Sequence, residues 1–406
     1  MELQDWLRAQ MPEAMDRLRR MVGINSFTAN AEGVNWLGAL TAECFEPLGF
    51  MPEFIPSEIP GFGRHLFLSR EGRGAKPVVL VTHLDTVFPP DEEAQNNFRW
   101  EEAPAESRIY GPGTVDIKGG TVLIWMILRA LQKFAPRVFE ETKWLVAANA
   151  SEEVMAKDFA TRTTERCPDG AEAVLVFEGG PRDGAEYHIV TSRKGRAEHR
   201  ISAHGSAAHA GSSHEAGVNA IVSLCDAVKQ AAALTDYARH LTVNVGRIQG
   251  GTVLNRVPHE ACAELEMRAF DPALLREAGV ALEAIAATAP SKSCAEITVE
   301  CLGRSPAWPA DQHTLELFAH WREAAAELGL AALSVSRGGL SDANYLRHLG
   351  PTLDGLGPAG ANAHCSERSA DGSKVPEFVE TDSFVPKAAM NVLAITRLPG
   401  VAEKSV

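Results

Sequence analysis

The chain has 406 residues, enough for two domains that each bury a core, and its 45% hydrophobic and 23% charged content is that of an ordinary soluble globular protein. A formal charge of −14 argues against nucleic acid or an anionic membrane as partner, and leaves carboxylates gathered around cations as one use for the acid. The seven cysteines (Cys44, Cys167, Cys225, Cys262, Cys294, Cys301 and Cys365) are odd in number, dispersed and free of C-x-x-C spacing, so neither a disulfide framework nor a thiolate zinc site is suggested.

From Met1 to Arg20, the residues Leu3, Trp6, Leu7, Met11, Met15 and Leu18 recur at helical spacing among Asp5, Glu13 and Asp16. That pattern is an amphipathic helix rather than a signal peptide, and the default location is the cytoplasm. A second helix is expected from Val34 to Leu48, closed by Gly49, then a short strand from His65 to Ser69 and a Gly-rich turn at Glu71 to Gly74.

The run Pro77-Val78-Val79-Leu80-Val81-Thr82-His83-Leu84-Asp85 reads as a strand buried on both faces. His83 and Asp85 sit two apart where it ends, so both side chains leave on one face. Ligands of open α/β sheets bind outside such carboxyl ends. The pair reads as a metal ligand with its orienting carboxylate, or simply as two hydrogen-bonded side chains.

Pro89 to Glu106 is expected to be a polar, acidic loop without periodicity. Tyr110-Gly111-Pro112-Gly113-Thr114-Val115-Asp116 follows, its glycines allowing a tight turn close to whatever Asp116 binds. Lys118-Gly119-Gly120 then opens a long apolar helix to about Phe134, whose most apolar run, Val122 to Leu128, is far too short to cross a bilayer. Lys143 to Ala148 is a strand ending at Ser151-Glu152-Glu153, and Ala173 to Phe177 is another, ending at Glu178-Gly179-Gly180. Strands alternating with helices predict an α/β domain, a mostly parallel sheet with helices on both faces.

The texture changes near Ser192. Strands over Ala197 to Ser202, Thr242 to Gln249, Ala261 to Phe270 and Ala295 to Cys301 alternate with helices over Gly217 to Leu234 and Pro272 to Ala287. This β-α-β-β-α-β order predicts an inserted α+β, ferredoxin-like domain. Residues 192–305 are assigned to it, with 1–191 and 306–406 forming the two parts of the α/β domain; Thr314 to Leu328 is helical again.

The candidate groups at strand ends and glycine turns are His83, Asp85, Asp116, Glu152, Glu153, Glu178 and His364. Histidine nitrogens and carboxylate oxygens bind zinc, and two His with three carboxylates suffice for two ions if one carboxylate bridges. Adjacent Glu152 and Glu153 point different ways, so one can ligate while its neighbour acts as general base.

Five stretches together resemble the M20 family of dinuclear zinc peptidases, most closely its glutamate carboxypeptidase branch. They are Thr82-His83-Leu84-Asp85-Thr86, the segment from Tyr110-Gly111-Pro112-Gly113 through Asp116 to Gly120, Ser151-Glu152-Glu153, Phe177-Glu178, and Gly357 to Glu367 around His364. The resemblance implies that Asp116 bridges two Zn2+ ions, with Co2+ or Mn2+ as alternatives. His83 and Glu178 would complete one site, Glu153 and His364 the other, with Glu152 as general base and Asp85 orienting His83. It also implies that the inserted domain is a lid that mediates homodimerisation.

In that lid, His209 within Gly205 to Gly211 resembles the family histidine that reaches the partner subunit's active site. Asn255 resembles the lid asparagine, and Lys194, Arg268 and Arg304 resemble the basic residues that bind substrate carboxylates. His199, His204 and His214 read as surface or packing residues, Cys365 receives no role, and Arg337 to Tyr345 resembles a loop near the substrate. The function expected is hydrolysis of an amide next to a C-terminal glutamate in a small peptide or N-acyl amino acid. The alternatives are an N-acyl-amino-acid deacylase or dipeptidase with the same metals, and a catalytically silent binding homologue.

Overall fold

A computed structural model describes residues 2–287 and 294–401, so expectations that fall on Met1, 288–293 or 402–406 lie outside the described residues. The chain forms two compact units: one holds the chain up to Thr191, Ala310–Ser336 and the chain from Ser341 onward, the other Ser192–Pro309 with Arg337–Leu340. The second unit extends past 305 because Arg193 and Trp308 exchange backbone hydrogen bonds of 2.8 and 3.0 Å.

In the first unit a six-stranded sheet runs in the order Met51–Pro56, Arg64–Arg70, Lys143–Asn149, Pro77–His83, Ala173–Val176, Thr352–Leu353. The last four are mutually parallel and the first two antiparallel, so the sheet is largely parallel, as predicted. Pro77–His83 lies at its centre and is buried at every position. Its Val78 and Leu80 enter one apolar core with the helices Leu3–Val22, Gly119–Phe134 and Phe384–Ile395. On the opposite face Phe67 stacks on Phe159 of the Asp158–Glu165 helix, with ring centroids 5.7 Å apart. A strand with apolar side chains on both faces needs helices on both, and the strand's residue choice thereby dictates the layering.

Glycine at 120 lets the Gly119–Phe134 helix seat directly on the chain that leads to Glu178. A Cβ there would lie 2.1 Å from the Phe177 carbonyl oxygen, which is backbone and has no rotamer to retreat into. Gly120→Ala is therefore expected to destabilise the protein by about 1–3 kcal/mol, seen as a lowered denaturation midpoint. A midpoint at the wild-type value would show that this contact relaxes freely.

Several stretches differ from expectation. Pro89 to Glu106 is not a structureless loop: it holds the helix Pro90–Gln95, the strand Glu101–Ala103 and a single turn at Pro104–Glu106. The strand is too short to display a period and borrows its order from pairing with Arg108–Tyr110. The helices Asp158–Glu165 and Phe384–Ile395 have no counterpart in the sequence reading; the second is buried on nearly all sides and so shows no amphipathic stripe.

The second unit is a four-stranded antiparallel sheet in the order Thr242–Gly250, Glu260–Ala269, Gly195–His204, Glu296–Ser305. Helices Ala220–Ala232 and Pro272–Ala286 cover one face through a core that includes Ile201, Ala203, Leu224, Leu265, Met267 and Leu282. Residues one step along, such as Arg200, Glu264 and Arg268, turn to the other face. Strict alternation over the Gly195–His204 and Glu260–Ala269 strands forces that division. Among the described residues, no helix is long and apolar enough to cross a membrane.

Candidate metal centre

Parallel register gathers the chemistry. His83 pairs with Asn149 at the carboxyl ends of adjacent strands, and Val81 pairs with Val176 just before Glu178. The turn after Asn149 carries Glu152 and Glu153, and the turn at Gly113, with φ of 76°, delivers Asp116. His364 arrives from a distant loop, itself in the left-handed region with φ of 68°.

Asp116 stands in the middle. One of its oxygens lies 2.9 Å from His83 Nε2, and the other 3.3 Å from His364 Nε2. Glu178 approaches His83 Nε2 at 3.7 Å, and Glu153 approaches His364 Nε2 at 3.2 Å. The ligand-type atoms of His83, Asp116 and Glu178 all lie within 4.8 Å of one another, as do those of Asp116, Glu153 and His364. These are two nitrogen-and-oxygen donor sets sharing one carboxylate, a chemistry that fits a pair of borderline divalent cations.

The electrostatics agree with a cationic guest. Burial pushes the Glu152 and Glu153 carboxyls above their ordinary range, and neighbouring carboxylates push the same way. Burial also opposes ionisation of Asp116, but hydrogen bonds from His364 and His83 prevail and hold it well below the usual carboxylate range. His364 is raised to about 10 by Asp116 and Glu153. His83 is raised too: burial resists its charge, yet Asp116 and Asp85 outweigh that resistance. Positive charge added here meets several buried anions that lack enough cations of their own.

Asp85 behaves differently from expectation. The 2.9 Å partner of His83 Nδ1 is the Asp85 backbone carbonyl, which accepts the Nδ1–H and turns Nε2 toward Asp116. The Asp85 carboxylate lies farther, at 3.5 Å. It accepts instead the N–H of Glu152 at 3.0 Å, the N–H of Glu153 at 3.2 Å and the Thr28 hydroxyl at 2.8 Å. Asp85 thus positions both glutamates as well as the imidazole.

Several residues of this network were missed from sequence. Asn149 accepts the Ser151 N–H at 3.0 Å and donates to Asp342 at 2.9 Å, and burial pushes the Asp342 carboxyl up to about 7. Asp342 follows Ser341, whose capping box with Asn344 is a sequence-level signal within the loop already singled out. Glu377 accepts the N–H groups of Val115 and Asp116 at 2.9 and 3.1 Å, and no spacing rule points to it.

The lid residues form their own constellation. Nδ1 of the exposed His209 accepts the N–H groups of Gly211 and Ser212 at 3.1 and 3.2 Å, which puts the ring proton on Nε2 as an outward donor. The backbone carbonyl of Asn255 accepts the Ala210 N–H at 2.9 Å, tying the two turns together. Arg268 is aimed by Glu266, with bonds of 2.8 and 3.1 Å, and by the Gly338 carbonyl at 3.1 Å. Lys194 has its ammonium 5.6 Å from the Phe270 ring, and burial with nearby Arg268 lowers its pKa. Arg304 does not join them. It pairs with Ala197, a core position, so the pleat turns it to the helix-covered face beside His199, whose imidazole is buried.

Comparison with known proteins follows the same lines. The model of peptidase family M20/M25/M40 matches residues 79–382. Carboxypeptidase G2 of Pseudomonas sp. (strain RS-16) is 29% identical over 377 residues, covering 90% of this chain and 87% of that one. Among solved structures, the aminopeptidase PepT of Bacillus cereus superposes with a TM-score of 0.75 at 21% identity, covering 97% of this chain and 99% of that one. An M20 family metallo-carboxypeptidase of Sulfolobus solfataricus gives 0.67 at 15% identity, with 96% and 100% covered.

Proposed function

The chain belongs to peptidase family M20/M25/M40 and is a metal-dependent hydrolase, and from that premise we propose that it is a zinc carboxypeptidase cleaving the amide before a C-terminal glutamate. The observation that carries this reading is the pair of donor sets sharing Asp116, with the buried Glu152 on the adjoining turn. His83, Asp116 and Glu178 would hold one cation, and Asp116, Glu153 and His364 the other. Bound there, two such ions supply Lewis acidity toward the scissile carbonyl and acidify water.

The remaining work falls to side chains. Glu152 takes a proton from the attacking water and returns it to the leaving amine. Burial among carboxylates raises its proton affinity, which suits a group that must hold a proton between the two steps. Asp85 keeps Glu152 in place through the Glu152 N–H. His209, contributed across a homodimer, donates its Nε2–H to the developing oxyanion, with Asn255 on the neighbouring turn. Lys194 and Arg268 take the carboxylates of the substrate; Arg304, on the opposite sheet face, is left out of that role. The exposed Val222, Ile248, Val253 and Leu254 support the lid as the dimer surface; sedimentation at the mass of one chain would remove that element. The seven free cysteines support a reducing, cytoplasmic setting.

The test is metal content measured with hydrolysis of N-acylglutamates, N-acyl neutral amino acids and dipeptides. Two zinc ions per chain and a preference for glutamate are expected. Lys194→Ala and Arg268→Ala should each raise KM for glutamate substrates about 10- to 100-fold, the worth of a charge-assisted hydrogen bond, and leave neutral substrates little changed. Two ions with a neutral preference would make the protein a deacylase or dipeptidase. Bound metal without turnover on any substrate would leave a silent binding homologue.

A further inference from the structure

We infer that Glu377 is a positioning residue that locks the bridging Asp116 and the His364 loop into one frame, so that the second cation site exists only while its carboxylate reaches the Asp116 turn. This rests on the metal-binding reading of Asp116 and His364 above. The argument begins with backbone geometry. Asp116 and Ile117 leave helical space, at φ, ψ of −122°, 84° and −135°, 35°, so the N–H groups around Asp116 have no helical carbonyl to donate to. Buried N–H groups need an acceptor. The acceptor is one oxygen of Glu377, which takes both the Val115 and the Asp116 N–H.

The main chain of Glu377 makes the other half of the frame. Its N–H donates to the Cys365 carbonyl at 2.8 Å, one residue beyond His364, and its carbonyl accepts the Gly111 N–H at 3.3 Å at the start of the Asp116 turn. His364 itself sits in a left-handed conformation that a non-glycine residue adopts only when held. One residue therefore bonds to two of the three segments that supply ligands to the His364 site, the Asp116 turn and the His364 loop, while Glu153 comes from the third. His83 and Glu178, on strand ends of the sheet, have no bond to it among the described residues. Glu377 is wholly buried, and its second oxygen has no hydrogen-bond partner among the described residues. A buried carboxylate with half its acceptors idle is a costly way to stabilise a fold, which favours a local task over a general one.

The task depends on reach rather than charge, and two variants separate these. Glu377→Gln keeps the length and one oxygen acceptor; Glu377→Asp keeps the charge but is one methylene short. The metal-free proteins would be titrated with Zn2+ against a chromophoric chelator, with circular dichroism and Tm recorded in parallel. Glu377→Asp is expected to weaken Zn2+ binding about 10- to 100-fold, the usual effect of losing an outer-shell partner, and to weaken the His364 site more than the His83 site, because Asp116 serves both while the His364 loop is framed by Glu377 as well. Glu377→Gln should bind both ions as wild type does. Equal weakening of both ions, a Gln variant as weak as the Asp variant, or a lowered metal-free Tm with unchanged Zn2+ affinity would each overturn the inference. Wild-type protein that takes up fewer than two ions would instead sink the metal reading itself, a separate result.

Discussion

Glu152→Gln is expected to lower kcat by about 10^3- to 10^4-fold while metal content and KM stay near wild type. General acid–base groups contribute roughly 10^2- to 10^4-fold, and Glu152 is asked to serve both as base and as acid, which places the loss toward the upper end. That is about 4–5.5 kcal/mol of transition-state stabilisation. The amide is the same shape, and the backbone bond from residue 152 to Asp85 does not involve the side chain, so the turn should persist. Stability should hold or rise, because the substitution removes a buried carboxyl crowded by Glu178, Asp342 and Glu153. Steady-state kinetics with elemental analysis on the same preparation is the measurement. Activity within tenfold of wild type would remove Glu152 as the proton-transfer group.

Asp116→Ala should abolish binding at both sites, not one. Asp116 is the only residue common to the two donor sets, and each imidazole faces one of its oxygens. Its removal should exceed the roughly 10- to 100-fold cost of losing an outer-shell partner, for each ion. Elemental analysis after dialysis in micromolar zinc should find less than one ion per chain. Hydrolysis should fall to the level of chelator-treated wild type. Glu178→Ala is the control, since Glu178 belongs to one donor set only and should leave the Asp116, Glu153, His364 set in place. Retention of two ions by Asp116→Ala would refute the bridging role.

Much of this site is legible along the chain because its parts are local. A strand buried on both faces must be apolar and short, so its end is visible, and His83 is the residue found there. The glycines at 111, 113, 119 and 120 mark a turn that must pass close to something, which exposes Asp116. What could not be read are relations across long separations. Glu377 lies 262 residues from Val115, and Asn149 lies 193 from Asp342; neither pairing leaves a periodic trace. Arg304 resembled a carboxylate binder by its neighbours in sequence, yet the pairing register of one lid strand turned it to the covered face. Asp85 looked like a partner for His83, while its carboxylate chiefly holds the turn of Glu152 and Glu153.

By itself the sequence determined which donors exist and in what order, because strand burial, helical period and glycine turns are short-range consequences of side-chain size and polarity. Only the tertiary structure decided which donors share a site, which partner each His83 nitrogen meets, and which sheet face each lid cation occupies. Those follow from strand register and buried hydrogen bonds, where a single step along a pleat reverses a side chain and a single acceptor far along the chain fixes a turn.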